Sequence, residues 1–126
     1  MVRRVLSVCY EQCLPPSTLE FLEAHGCNMK CAREIGAAIQ FFESLPFDLI
    51  LINQTVSSSQ EHLIVDIVRE QDDHLPIIFV SAESGPIPGV NALLRPPVKP
   101  DELLRVIVDL VPDGKSRVIP GAIGQT

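Results

Sequence analysis

Hydrophobic residues in this chain fall into short runs that are separated by segments with helical spacing. The run Leu49–Ile52 consists of four consecutive apolar residues that follow Pro46 closely. Such a run is typical of a strand that is buried on both faces of a parallel sheet. Similar patterns at 4–9, 27–32 and 77–81, with a shorter one at 90–94, predict four further strands.

Between these strands, apolar residues recur at intervals of three and four, as on one face of a helix. Helices are predicted from Pro16 to the cap glycine Gly26, around 35–42, from the Ser-rich segment at 57–59 to Arg69, and from Pro100 to about Val111. Alternation of strands and helices predicts a doubly wound α/β fold with a parallel sheet.

One connection departs from this regular alternation. The segment Gly85-Pro86-Ile87-Pro88-Gly89 contains two prolines and two glycines, which exclude a continuous helix. The helix between the fourth and fifth strands is therefore predicted to be reduced or missing. Residues 113–126 show no periodicity and are predicted to form a tail or linker after a single domain at 1–112.

Charge and composition limit the possible partners. The formal net charge is −6, and the sequence has no basic cluster beyond Arg3-Arg4, which argues against nucleic-acid binding by this domain. The apolar runs are too short to span a membrane, and the N-terminus lacks the features of a signal peptide. A cytoplasmic location is expected.

The four cysteines form two Cys-x3-Cys pairs, Cys9/Cys13 and Cys27/Cys31. Metal-binding knuckles usually have other spacings, so buried inert thiols are expected, with a redox pair or an adventitious metal site as alternatives.

Asn53 lies where the chemistry of such a fold is expected. Ligands of open α/β sheets bind at the carboxyl ends of the strands, and Asn53 directly follows the central run Leu49–Ile52. An amide at this position is a poor nucleophile and a weak cation ligand.

The order of elements and several short segments resemble the receiver domain of two-component response regulators. The resemblance covers about residues 4–111 and is carried by 23–26, 47–52, 76–82 and 96–103. It implies a flavodoxin-like sheet with strand order 2-1-3-4-5. It also identifies residues 1–112 as a receiver-like domain.

The same resemblance implies that the family's phosphorylation chemistry has been lost. The Mg2+-binding acidic pair falls at Cys9 and Tyr10, and the phosphoacceptor aspartate falls at Asn53. Mg2+ requires oxygen ligands, usually carboxylates, and an amide cannot form an acyl phosphate. These positions are therefore interpreted as degenerate, with no catalytic residue, cofactor or metal.

Three positions of the family's phosphate site are partly retained. Ser81 supplies the hydroxyl, Arg95 replaces the lysine, and Pro96 follows as in the family. Together with Asn53 they form a candidate site for an anion or small molecule. In the alternative interpretation, Arg95 bonds local carbonyls or Glu11 and the pocket holds water.

In the implied strand order, Cys9 and Cys31 end neighbouring strands, which suggests that their thiols approach each other and form a disulfide. The alternative is that both thiols are simply buried. Loss of the helix between the fourth and fifth strands exposes a possible interaction patch of Ile87, Val90 and Leu93. The alternative is that the loop at this position packs internally.

The resulting hypothesis is a non-enzymatic, phosphorylation-independent signalling module that binds a protein partner or itself. It is expected to form the N-terminal part of a larger bacterial regulator, with regulation of transcription as the suggested output. Two alternatives are kept. One is a small-molecule or redox sensor that uses the Ser81/Arg95 pocket or the cysteines, and the other is a phosphoacceptor at a non-standard residue, Glu11 or Asp48.

Overall fold

A computed structural model of the chain describes residues 2–9, 14–53, 58–81, 89–96 and 98–112, with the backbone alone for 58–63. Tyr10, Glu11, Cys13, Ile87 and the tail at 113–126 lie outside the described residues.

Within the described residues, five strands form one parallel sheet in the order β2-β1-β3-β4-β5, as predicted. The strands are β1 Arg3–Val8, β2 Cys27–Ala32, β3 Leu49–Ile52, β4 Ile77–Val80 and β5 Ala92–Leu94. Every residue of β3 and β4 is buried, because both strands are central and have helices on each side. The apolar run that predicted β3 thus marks the middle of the fold.

Four helices accompany the sheet in the described part of the chain: α1 Pro16–Ala24, α2 Ile35–Ser44, α3 Ser58–Gln71 and α4 Pro100–Leu110. Helices α1 and α4 each begin at the proline that predicted them. Gly26, two residues beyond α1, has a φ of 89°, which a glycine adopts without the strain that a Cβ atom would add. The sequence signals for these helix ends are confirmed.

The two faces of the sheet carry separate apolar cores. One core packs against α2 and α3, and its buried members include Leu6, Val8, Ala38, Ile52, Val68 and Phe79. The other packs against α1 and α4 and includes Val5, Leu22, Leu51, Ile78, Leu103 and Ile107. Alternate residues of each strand serve opposite cores, as the pleat of a strand requires.

The connection from β4 to β5 is short. Of its residues, Ser81 and 89–91 are described, and no helix occurs among them; 82–88 lie outside the description. Gly89 has a φ of 88°, and a Cβ atom there would lie 3.0 Å from Cγ1 of Val65 on α3. This glycine therefore permits both the turn and a close approach of the connection to α3.

Arg69 fixes that approach. Its guanidinium donates to the carbonyl oxygen of Gly89 from Nε (3.1 Å) and Nη2 (2.6 Å), and Nη2 also donates to Oδ1 of Asn91 (3.0 Å). Nη1 donates to the carbonyl oxygens of Asp72 (3.2 Å) and Leu75 (2.7 Å), which precede β4. One side chain on α3 therefore holds the segments that lead into β4 and β5.

No helix in the described part of the chain is both long enough and apolar enough to cross a membrane.

Candidate functional site

The carboxyl edge of the sheet brings together the residues that directly follow four of its strands. Main-chain bonds hold three of them: the amide of Cys9 donates to the carbonyl of Ala32 (2.9 Å), that of Asn53 to Val8 (2.8 Å) and that of Ser81 to Leu94 (3.0 Å). Each bond continues the ladder of a parallel strand pair by one residue. The backbone therefore places Cys9, Asn53 and Ser81 along one edge, in the order in which their strands lie.

Arg95 completes this row after β5. Its Nη1 donates to the carbonyl oxygen of the buried Ser81 at 3.2 Å, while the residue as a whole is exposed. Of the two arrangements considered for this arginine, the structure shows a bond to a local carbonyl. Pro96, next in the chain, is partly buried.

Cys9 is fully buried and belongs to a disulfide. Cys27 and Cys31 are free thiols. The suggested Cys9–Cys31 pairing is therefore wrong, and simple burial as a thiol is wrong for Cys9. Cys31 lies opposite Ser7 in the parallel ladder, two residues away from the position level with Cys9. Cysteines directly opposite each other on neighbouring strands are close enough for a disulfide. The offset of two residues along the strand adds to the distance between the sulfurs of Cys9 and Cys31.

Burial raises the pKa of the Cys31 thiol, and it also raises the pKa of the Cys27 thiol against the opposing charge of Arg3. A thiol with a raised pKa is a weak nucleophile at neutral pH, because the thiolate is the reactive form. Neither free cysteine has the environment of a reactive or catalytic thiol.

Only some of the remaining predicted site positions lie among the described residues. Val90 and Leu93 are partly buried and pack against the core formed with α2 and α3. Ile87, the third member of the suggested interaction patch, and Tyr10, the second degenerate metal position, lie outside the described residues. Among the residues that are described, no group of three or more His, Cys, Asp or Glu side chains is arranged to hold a metal ion.

Asp48, one of the two non-standard phosphoacceptors considered, lies at the opposite, amino edge of the sheet. The residue is 2% exposed, and its Oδ2 accepts hydrogen bonds from the backbone amide (2.8 Å) and Nε (3.2 Å) of Arg4. Its Oδ1 accepts from Nη2 of the same arginine at 3.3 Å. Both carboxylate oxygens are engaged and shielded from solvent, so Asp48 is not available to attack a phosphoryl donor.

The amino edge contains two arginines whose roles the sequence analysis missed. Arg3, 6% exposed, donates from Nε to the carbonyl oxygen of Val111 at 2.6 Å and so joins the start of β1 to the end of α4. The sequence pattern indicates Arg69 only as the end of a helix. Bonds from a side chain to distant carbonyls leave no periodic signal in the sequence, so the pattern does not reveal these roles.

Comparison with known proteins reveals similarity at the level of structure. No protein-family model and no curated protein matches the sequence. A CheY-like response regulator receiver domain protein from Methanospirillum hungatei is 20% identical, with a TM-score of 0.75 over 86% of this chain and 93% of that one. The chemotaxis response regulator CheY4 of Vibrio cholerae is also 20% identical, with a TM-score of 0.73 over 88% of this chain and 100% of that one.

The response regulator TrrA from Thermotoga maritima, whose structure was solved in complex with Mg2+ and BeF, is 19% identical. Its TM-score is 0.71, over 87% of this chain and 100% of that one. These similarities cover nearly the whole of each neighbour and agree with the strand order found here. The chain therefore has the fold of CheY-like response regulator receiver domains.

Proposed function

We propose that this protein is a receiver-like signalling module that works without phosphorylation. One observation carries the proposal: Asn53 occupies the end of the central strand, and the buried Cys9 beside it is held in a disulfide. In a receiver domain these positions hold the phosphoacceptor aspartate and an acidic Mg2+ ligand. Here the edge keeps its backbone arrangement, while the side chains are of a different chemical kind.

Neither substitution supports phosphoryl transfer. Formation of an acyl phosphate requires a carboxylate oxygen as nucleophile, and the carboxamide of Asn53 has none. A disulfide sulfur carries no charge and is soft, whereas Mg2+ is a hard cation that takes oxygen ligands in near-octahedral geometry. Tyr10, the next residue in the sequence, offers a phenol in place of a carboxylate, and a phenol is ordinarily uncharged at neutral pH.

A module of this kind acts by binding. Its partner is proposed to be a protein or a second copy of the chain, with no enzymatic activity, no cofactor and no contact of this domain with nucleic acid. The proposed setting is a cytoplasmic bacterial regulator, such as a regulator of transcription, in which the domain holds an output region in one state.

The test is phosphorylation by a small donor. The purified protein is incubated with Mg2+ and acetyl phosphate, beside an active receiver domain, and both are followed by intact mass spectrometry. We expect the active receiver to gain the mass of one phosphoryl group and this protein to gain none. A hydroxylamine-sensitive phosphoryl group on this protein would overturn the proposal.

The disulfide at Cys9 favours redox sensing as a second candidate function. Because Cys27 and Cys31 are free, Cys13 is the remaining cysteine of the sequence and the proposed partner. In the sensing reaction, oxidised glutathione would accept two electrons from the two thiols and leave as two glutathione thiols, while the S–S bond forms in the protein.

This candidate is tested by recording amide NMR spectra of the reduced and oxidised protein. Redox sensing predicts shifts that extend along the carboxyl edge to Asn53, whose amide bonds to Val8. A Cys13→Ser variant is the matched control, because it should remain in the reduced form under both conditions. Shifts confined to the immediate neighbours of Cys9 would indicate a disulfide with a purely structural role.

A further inference from the structure

An open cleft of about 250 Å3 lies far from the carboxyl edge, beside the amino halves of β1 and β2. Its floor is formed by Arg4 of β1 with Asn28 and Lys30 of β2, and its wall by the connection from α2 to β3. The lining residues are Arg4, Asn28, Lys30, Leu45, Pro46 and Phe47. The volume is close to the lower limit of small-molecule sites in proteins, about 300 Å3.

The floor residues share one face of the sheet. Arg4 is the ladder partner of Asn28, and Lys30 follows two residues later on the same strand. Side chains two residues apart, and side chains directly opposite each other, project from the same face of a sheet. The guanidinium, the carboxamide and the ammonium group are thus collected within one small area at the edge strand β2.

Arg4 is oriented for a ligand by Asp48. The carboxylate of Asp48, whose side chain is 3% exposed, binds Nε and Nη2, while the Arg4 side chain remains 46% exposed. Asp48 does not use the third nitrogen, Nη1. A buried carboxylate that fixes an accessible arginine lowers the entropy lost when that arginine binds an anion.

Lys30 supplies the unbalanced charge. Its ammonium lies 4.7 Å from the centroid of the Phe41 ring, which holds it beside the cleft. Arg4 and Asp48 cancel formally, so the three charged groups sum to +1, although the chain as a whole carries −6. A local charge of +1 matches a single carboxylate.

The wall is apolar and accessible. Leu45 is 44% exposed, one of three large hydrophobic residues that are prominently exposed in the described part of the chain, and it is followed by Pro46 and Phe47. Exposed apolar surface beside a cation is complementary to a molecule that carries an apolar group next to an anionic one.

We propose that this cleft binds a carboxylic acid with an apolar body. The carboxylate pairs with Lys30 and Arg4, Asn28 donates a hydrogen bond from its amide group, and the apolar body packs against Leu45 and Phe47. The acid is either a free small molecule or an acidic residue beside an apolar one in a peptide. The proposal goes beyond the function proposed above and does not depend on the state of the carboxyl edge.

The test is an NMR titration of the full chain with phenylacetate, with benzylamine as the probe of opposite charge. We expect saturable shifts of the amides of Arg4, Asn28, Lys30 and Phe47, with a dissociation constant on the order of 1 mM. Benzylamine should cause no saturable shifts at these residues. A dipeptide with adjacent phenylalanine and aspartate, capped at both ends, is the second arm; tighter binding of the peptide indicates a protein source for the ligand.

Two variants that each remove one positive charge distinguish binding in the cleft from a general effect of the net charge. Lys30→Gln should weaken phenylacetate binding about tenfold, because it removes the unbalanced cation. Arg33→Gln removes a cation from an exposed residue that does not line the cleft, and should leave the affinity unchanged. Absence of saturable shifts, equal binding of benzylamine, or equal effects of the two variants would each overturn the proposal.

Discussion

The two edges of the sheet are built in different ways. At the carboxyl edge, main-chain bonds position Cys9, Asn53 and Ser81, and each bond continues the ladder of its strands. At the amino edge, arginine side chains make the connections: Arg3 to Val111, Arg4 to Asp48, and Arg69 to the segments before β4 and β5. Main-chain bonds also extend the strands at the amino edge, for example from the amide of Asp48 to the carbonyl of Arg4 (2.7 Å). The arginine contacts there are therefore additional connections between distant segments of the chain.

This difference bears on which substitutions each edge of the sheet tolerates. Ladder bonds are available to almost any residue type, so a change of side chain at Asn53 should leave the bond from its amide to the carbonyl of Val8 in place. The arginine contacts require an arginine side chain, because its planar guanidinium has five N–H donors and can bond several carbonyl oxygens at once. Substitutions should therefore be tolerated at the carboxyl edge and costly at the amino edge.

The largest effect is expected from a matched pair of arginine substitutions. Arg69→Ala removes five hydrogen bonds to four acceptors and should lower the free energy of unfolding by about 3 kcal/mol, because its bonds to the carbonyls of Asp72 and Leu75 are partly buried. Arg95→Ala at the other edge removes one bond of an exposed residue, to Ser81, and should cost less than about 0.5 kcal/mol. Urea denaturation measures both.

Amide hydrogen exchange measures the local effect of the two arginine substitutions. Arg69→Ala should also accelerate exchange at the amides of β5, since Asn91 and Gly89 lose their anchor on α3. Equal costs for the two variants would remove the distinction between the edges.

A smaller effect is expected from Asp48→Ala. The substitution leaves the Arg4 amide and guanidinium without their acceptor, which should lower the free energy of unfolding by about 2 kcal/mol. The arginine is half exposed and recovers part of its solvation, which keeps the cost below that of a fully buried pair. Asp109→Ala, on the exposed face of α4, is the control and should change the stability by no more than about 0.5 kcal/mol.

The smallest effect concerns pH and the free thiols. Burial raises the pKa of Cys27 and Cys31 above the value of 9.0 for an unperturbed thiol, so the unfolded chain releases these protons first. The stability that the two neutral thiols contribute is therefore present below pH 9.0 and is lost as the pH rises through their folded-state pKa.

A Cys27→Ala/Cys31→Ala variant should consequently lose less stability than the unsubstituted protein between neutral and strongly alkaline pH. The comparison is made by urea denaturation at each pH under reducing conditions. Parallel curves for the two proteins would show that the thiols do not contribute to the pH dependence.

The cysteines show where prediction from sequence failed. Cys9 and Cys31 were correctly placed near the ends of neighbouring strands, but strand order does not determine which sulfurs meet. The ladder pairs Cys31 with Ser7, and Cys9 belongs to a different disulfide. Pairing depends on a distance of a few ångströms and on side-chain direction, neither of which a residue pattern contains.

Local patterns in the sequence predicted the fold and placed Asn53 at the carboxyl end of the central strand. Apolar runs such as Leu49–Ile52 and the start and stop signals at Pro16, Gly26 and Pro100 are local, and each follows from burial or backbone geometry. The location of Asn53 at the carboxyl edge could also be predicted without coordinates, because the alternation of strands and helices shows which residues follow each strand.

The contacts that hold the amino edge, and the cleft beside it, depend on the packing of distant segments. Arg3 and Val111 are separated by 108 positions, and Arg4 and Asp48 by 44. Such contacts arise when elements pack, and no local pattern encodes them. The cleft of Arg4, Asn28 and Lys30 likewise combines two strands with the connection that leads from α2 to β3, so it exists only in the folded chain.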